Sequence, residues 1–212
     1  MQTIELFAGT CSFSKVFGEH GYQTYTTDKY EVCPAIDLIE DVFNLTVFNL
    51  PRKPEILWAS PPCEGFSVAA IGKSWNHDNT PKSDIARLGL RLVEETFRII
   101  EDVQPKWWFI ENPRGKLRKL PVMEQAPIRH TITYCQYGDT RMKPTDIWTN
   151  AHWWTPRPAC KNGMPCHEAA PRGSKSGTQG MASYAEKSRI PPALFEEIVQ
   201  QYEQFVELPA AA

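Results

Sequence analysis

Three short segments of this 212-residue chain carry side chains suited to covalent or acid–base chemistry. The sharpest is Trp58-Ala59-Ser60-Pro61-Pro62-Cys63-Glu64-Gly65-Phe66-Ser67, where two prolines stiffen the exit from a strand and leave a thiol at its end. A thiolate fixed there is a soft nucleophile able to add to an electron-poor carbon, provided nearby donors favour its ionisation. The plainer reading is a small buried cysteine after a proline turn. The second segment, Glu111-Asn112-Pro113, leaves the next buried-type strand, so its carboxyl is expected at the same sheet edge as Cys63. A glutamate that holds a proton and hydrogen-bonds a ring nitrogen makes that ring a better acceptor for a thiolate. Otherwise it caps the following loop. The third, Glu5-Leu6-Phe7-Ala8-Gly9-Thr10-Cys11, places a glycine where a strand hands over to a helix. Open backbone and unpaired helix N–H groups there suit a nucleotide-like ligand, and a tight turn suits the same residues. Asp28 and Asp41 follow the next two strands, where one carboxylate could accept ribose hydroxyls and the other an adenine amino group, or each could cap a loop.

These groups need a scaffold that delivers them to one edge. Through residue 110, short apolar runs alternate with helical periodicity, the pattern of β-α-β units and a mostly parallel sheet. Strands are expected at 3–8, 22–27, 37–39, 55–59 and 106–110, with a further pair at 128–135 and 145–149. Helices are expected at about 12–20, closed by Gly21, and at 83–103. In the second, Ser83 is the N-cap, Ile85, Leu88, Leu92, Thr96, Ile99 or Ile100, and Val103 form the inward stripe, and Pro105 is the stop. Pro191-Pro192 opens a last helix over 191–207 whose stripe, from Leu194 and Phe195 to Phe205 and Val206, packs back on the domain. The fold class is α/β, a doubly wound mostly parallel sheet in a single domain over 1–212, with a loop-rich basic segment at 150–190.

Composition narrows the function. With 42% hydrophobic and 11% aromatic residues, a disordered tail or a coiled coil is excluded. No apolar run approaches the roughly 20 residues needed to cross a bilayer, and Met1 leads directly into a strand. Six cysteines without regular pairing read as reduced thiols, so the expectation is a cytoplasmic protein away from the membrane. The net charge of -2 hides a segregation: residues 113–190 hold 13 basic against 5 acidic side chains, a surplus of +8. Such a block is the footprint of a surface that meets phosphate, or a solvated basic face.

Cys160, Cys166 and His167, with Cys135 or His152 as a fourth member, are weak candidates for zinc. Their spacing matches no recognised finger, so two free thiols near a surface histidine are preferred and no metal is assigned. Trp75 and Trp153-Trp154 could stack on bases or cover the core. The run Arg172-Gly173-Ser174-Lys175-Ser176-Gly177 suits a phosphate-gripping loop or a surface one.

The ordered set Phe7-Ala8-Gly9, Asp28, Asp41, Pro61-Pro62-Cys63 with Phe66-Ser67, and Glu111-Asn112 resembles the cytosine-C5 DNA methyltransferase family over about residues 1–150. The resemblance implies S-adenosylmethionine in the crevice of Phe7, Ala8, Gly9 and Thr10, with Asp28 toward the ribose and Asp41 with Val42 toward the adenine. It implies that Cys63 adds to C6 of a cytosine while Glu111 engages N3 and the exocyclic amine, and that Pro62, Ser67 and Asn112 shape the site. The base would be flipped out of DNA or already single-stranded. The family's Gln-Arg-x-x-Arg-like element has only a loose counterpart, Tyr137 to Thr145, in which Arg141, Lys143 and Thr145 stand as substrate contacts. Pro113 replaces the family's usual valine. Gly177-Thr178-Gln179-Gly180 is the nearest match to its closing cofactor element. Only about 40 residues, 150–190, are left for target recognition, which implies a short target or a partner protein that supplies specificity. The rival readings are a DNA-binding subunit dependent on such a partner, the same chemistry on RNA or a deoxycytidine nucleotide, and transfer of a modified methyl.

Overall fold

The computed structural model describes residues 1–169 and 184–207. Seven strands form one sheet: β1 (Gln2–Leu6), β2 (Gln23–Asp28), β3 (Leu38–Ile39), β4 (Ile56–Ala59), β5 (Trp107–Pro113), β6 (Ile128–Thr133) and β7 (Pro144–Thr149). Their order is β3-β2-β1-β4-β5-β7-β6. The first five run parallel, and β7 is antiparallel to both β5 and β6. The described helices are α1 (Ser12–Glu19), α2 (Ile71–Ser74), α3 (Asp84–Val103), α4 (Tyr184–Ser188) and α5 (Pro192–Glu207). This is the α/β, doubly wound, mostly parallel architecture. The strand order reverses at β1 and β4, where such sheets leave a crevice at their carboxyl ends.

Alternation along the central strands explains why helices cover both faces. Ile56, Trp58 and Phe109 point into one core with α1 and α5, whereas Leu57, Ala59, Trp108 and Ile110 point into another with α3. Trp58 is held between Phe13 and Phe109, with ring centroids 6.0 Å away on each side and Phe195 edge-on at 4.8 Å.

The inward face of α3 differs from the expected stripe. Ser83 caps it, accepting from Ala86 N–H at 3.2 Å, but Ile85 and Leu88 are 58% and 49% exposed. Ala86, Gly89, Val93 and Phe97 are buried in their place, while Thr96, Ile99 and Val103 are buried as expected. The ring of Phe66 lies on Gly89 so closely that a Cβ would sit 3.1 Å from it, so small residues face inward along the first half of the helix. The helix stops at Gln104, left-handed at φ 52, one residue before Pro105. On α5 the buried stripe runs from Leu194 to Tyr202, Phe205 is partly buried, and Val206 falls outside it. His20 fastens α5 to α1 through Glu196 at 2.9 Å and Glu203 at 3.4 Å.

The structure bears on two alternatives that the sequence leaves open. Trp75 and Trp154 are core residues and Trp153 packs on Trp107 and Phe205, so all three support packing. Part of the basic surplus is consumed inside the fold by the pairs Arg118–Asp146, Arg141–Asp139 and Arg157–Glu197. The runs Arg172–Gly177 and Gly177–Gly180 lie outside the described residues. Among the described residues, no helix is long and apolar enough to cross a membrane.

Candidate active site

The turn after β1 is built on alternating left-handed residues: Phe7 (φ 55), Gly9 (φ 49) and Cys11 (φ 54). A Cβ at Gly9 would meet nothing closer than 3.9 Å, so the backbone angle and not space calls for glycine. Asp28, ending β2, accepts from Gly9 N–H at 2.9 Å on one oxygen and from Tyr30 N–H at 3.0 Å on the other. Each oxygen keeps further acceptor capacity. The Thr10 and Ser12 hydroxyls share a hydrogen bond of 2.9 Å.

The first N–H groups of α1 are not the open donors expected there. Alternation along β1 turns Glu5 toward α1, and its carboxylate accepts from Phe13 and Ser14 N–H at 3.3 and 2.9 Å. Burial pushes the Glu5 carboxyl up to about 7, against the opposing pull of these hydrogen bonds. Asp41 caps a 3₁₀ turn through Phe43 N–H at 3.3 Å and pairs with Lys29 at 2.8 Å, a contact that holds its carboxyl below the ordinary range. Val42 is buried in the α3-side core.

The thiol and the second carboxyl come to one sheet edge because β5 outlasts β4. Pairing with β4 ends at Ala59 opposite Ile110, while β7 continues to pair Glu111, Asn112 and Pro113. These three therefore lie within the strand and not after it, as the 106–110 boundary implied. On the edge that β4 leaves, Asn112 Nδ2 donates to the Pro61 carbonyl at 2.9 Å. The Cys63 carbonyl accepts from Phe66 and Ser67 N–H at 2.9 and 3.1 Å, which curls the loop back at the thiol, with Pro62 and Ser67 half-buried beside it. Trp75 Nε1 donates to the Gly65 carbonyl at 2.7 Å, and Lys116 N–H to the Phe66 carbonyl at 2.8 Å. Gly115 presses on that same carbonyl, and a Cβ there would come within 2.2 Å of it.

The electrostatics of the pair are set by burial. Glu111 is pushed above the ordinary carboxylate range by desolvation, opposed by the Lys143 charge and by hydrogen bonds from Tyr134 and Ser60. The Tyr134 hydroxyl donates to Glu111 Oε1 at 2.9 Å. Burial likewise pushes the Cys63 thiol up to about 11, the Glu111 charge adds to this, and Lys143 offsets it. Lys143 thus acts on both groups. Its Nζ lies 4.5 Å over the Tyr134 ring and donates to the Lys187 carbonyl at 3.1 Å, and burial lowers its own pKa.

Arg141 and Thr145 take other roles. Arg141 is 3% exposed, pairs with Asp139 at 2.5 Å and donates to the Lys187 carbonyl at 3.1 Å, so its guanidinium fastens chain segments together and does not face a phosphate. Thr145 is fully buried, with its hydroxyl on the Lys143 carbonyl at 3.1 Å. Sequence reasoning passed over Ser60, Gly115 and Tyr134. The place of Ser60 directly before Pro-Pro-Cys was a usable signal, whereas Tyr134 reaches Glu111 only through the tertiary fold.

Residues 1–120 match the family described as C-5 cytosine-specific DNA methylase. The protein named "Probable DNA (cytosine-5)-methyltransferase" of Frog virus 3 (isolate Goorha) is 28% identical over 215 residues, covering 94% of this chain and 99% of its own length. Type II methyltransferase M.FnuDI of Fusobacterium nucleatum is 26% identical over 128 residues, 56% of this chain and 34% of that protein, so the chain spans about a third of this bacterial relative. Among solved structures, a prophage-encoded protein from E. coli described as a DNA modification methyltransferase superposes with a TM-score of 0.51 at 16% identity. That superposition covers 70% of this chain and 46% of the other, and supports the fold alone. With more than half of its length matched, the chain belongs to the C-5 cytosine-specific DNA methylase family.

Proposed function

We propose that the chain transfers a methyl group from S-adenosylmethionine to C5 of cytosine in DNA, through a covalent bond between Cys63 Sγ and C6 and with the help of Glu111. The observation that supports this reading is a thiol and a carboxyl at one sheet edge, both raised by burial, with the Lys143 charge acting on each.

The turn at Gly9 has the chemistry to hold the donor. Asp28 retains acceptor capacity after binding Gly9 and Tyr30, enough for ribose hydroxyls. Phe7, Ala8 and Thr10 would line the crevice, with Asp41 and Val42 toward the adenine. Bound there, the donor supplies an electrophilic methyl on a sulfonium centre.

The remaining steps belong to the protein's own side chains. Burial raises the Glu111 pKa and so favours its protonated form, which would share its proton with cytosine N3, draw electrons from the ring and open C6 to attack. Cys63 would lose its proton to solvent water as the base enters, and its thiolate would add to C6 and leave C5 electron-rich. After C5 is alkylated, loss of its proton expels Cys63 and restores the ring. Because C6 is out of reach inside a duplex, the base must leave the stack. Basic side chains of 113–190 not engaged in internal pairs would hold the flanking phosphates. A recognition element confined to 150–190 would fit a short target, or a partner protein that adds specificity.

Nucleoside mass spectrometry tests this in cells that lack cytosine methylation and express the intact chain or Cys63→Ala. Expected is 5-methylcytosine with the intact chain only. Modified DNA from both removes Cys63 as nucleophile, and unmodified DNA with soluble intact protein refutes activity of the chain alone.

A further inference from the structure

Away from the sheet edge, four soft or borderline ligands converge from two separate parts of the chain. Cys135 is buried in the 3₁₀ turn Tyr134–Tyr137 that follows β6. Cys160, Cys166 and His167 come from the irregular segment after β7. Their ligand atoms all lie within 4.8 Å of one another. Cys166 Sγ is 3.7 Å from both Cys135 Sγ and His167 Nδ1, and Cys160 Sγ is 3.1 Å from Cys166 Sγ and 3.5 Å from His167 Nδ1. Tetrahedral zinc, with Zn–S near 2.3 Å and Zn–N near 2.0 Å, requires ligand-to-ligand edges of about 3.5–3.8 Å. Three of these four separations lie at that length, and the Cys160–Cys166 pair at 3.1 Å is shorter than a sulfur–sulfur edge by about 0.7 Å. His152, the other candidate for the fourth position, is engaged elsewhere, its ring 5.1 Å from Trp107 and 5.6 Å from Phe205.

We propose that Cys135, Cys160, Cys166 and His167 form a closed structural zinc site that clamps the segment after β7 onto the turn after β6. Three thiolates and an imidazole select zinc over the hard cations magnesium and calcium, and four protein ligands leave no open position for catalysis. Gln136 Nε2 lies 3.4 Å from Cys166 Sγ, the kind of outer hydrogen bond that orients a metal-bound thiolate. Residues 155–167 form neither strand nor helix; Thr155 and Arg157 hold the start of this segment to Gln201, Glu197, Gln136 and Tyr137, whereas beyond Arg157 the tie to the domain outside the cluster, among the described residues, is Cys160 N–H to Thr133 Oγ1 at 2.8 Å. A segment that buries so little apolar surface gains its fixed path from a cross-link, and metal binding free energy is then folding free energy. A Cys160–Cys166 disulfide would use two of the ligands and leave Cys135 and His167 beside them without purpose.

The site predicts metal content directly. Full-length protein purified without a metal-binding tag is expected to hold about one zinc per chain by elemental analysis, retained on dialysis. Replacement by cobalt is expected to give the intense visible bands of a tetrahedral ion with thiolate-to-cobalt charge transfer. Cys160→Ser and Cys166→Ser should each abolish those bands and lower zinc retention against a chelator about tenfold or more. His167→Ala keeps all three thiols and serves if the cysteine variants fail to fold. Folded wild-type protein without zinc, a cobalt spectrum of octahedral oxygen ligation, or an intact mass short by the two hydrogens of a disulfide overturns the proposal.

Discussion

The side-chain amide of Asn112 donates to the main-chain carbonyl of Pro61 at 2.9 Å, joining the strand that carries Glu111 to the loop that carries Cys63. Asn112 is fully buried, so the bond is shielded from water and fixes the spacing of the two groups. Asn112→Ala should slow single-turnover methylation by about 100-fold, the scale of a misplaced reacting group. Calorimetric affinity for S-adenosylmethionine should stay nearly unchanged. A rate close to that of the unmodified chain would remove Asn112 from the positioning of the pair.

Lys143 is expected to govern the reactivity of the thiol before any substrate binds. Its charge opposes the burial and the Glu111 charge that raise Cys63. Lys143→Met should therefore push the Cys63 pKa further up and slow alkylation by iodoacetamide at pH 8.5 by about tenfold, whereas Lys143→Arg should largely preserve the rate. The measurement follows one labelled peptide by mass spectrometry and needs no turnover. Equal alkylation in wild type and Lys143→Met would show that the cation does not reach the thiol.

Tyr134 is expected to tune Glu111. Its hydroxyl hydrogen bond favours the ionised carboxylate, so Tyr134→Phe raises the Glu111 pKa further. If protonated Glu111 is the working form, activity falls as pH rises through that pKa, and the variant should hold its activity to higher pH. Loss of orientation should lower the maximum rate by about tenfold. A pH–rate profile whose alkaline limb moves downward, or stays in place, contradicts this role.

Glu5 should leave a pH signature in stability and none in chemistry. Its carboxyl rises from an ordinary value of 4.5 to about 7 on folding, so between those values the native state holds a proton that the unfolded chain has released. Stability from this group is full below pH 4.5 and is lost as pH climbs through about 7, by up to about 3 kcal/mol. Glu5→Gln keeps an acceptor for the start of α1 and cannot ionise. Urea midpoints at pH 5 and pH 8 should then converge in the variant and differ in wild type.

Much of the scaffold was legible because it rests on local physics. The parallel half of the sheet follows from alternating apolar strands and periodic helices, and the Ser83 cap from the chemistry of helix starts. Cys63 and Glu111 stood out because proline and strand-end signals flank them. What was hidden depends on contacts between segments. The extension of β5 through Pro113 is imposed by β7, a partner more than 30 residues downstream. The inward face of α3 was misjudged because a stripe of large residues was favoured, while Phe66, from a distant loop, demands a glycine. Arg141 looked like a phosphate ligand because its charge is visible and its partnership with Asp139 is a matter of packing. Cys135 stood beside Cys160, Cys166 and His167 only as an equal choice with His152, since it arrives from a different strand end and spacing does not favour it.

Burial of Cys63 also bears on how long the protein lasts between encounters with a base. A thiol that ionises only near pH 11 is almost wholly undissociated in neutral surroundings, and peroxides and disulfides react with the thiolate. The resting side chain is therefore spared the oxidation ladder that erodes low-pKa cysteines. If Cys63 is the nucleophile, the surroundings that withhold its reactivity until a base arrives act, in the interval, as an antioxidant sheath.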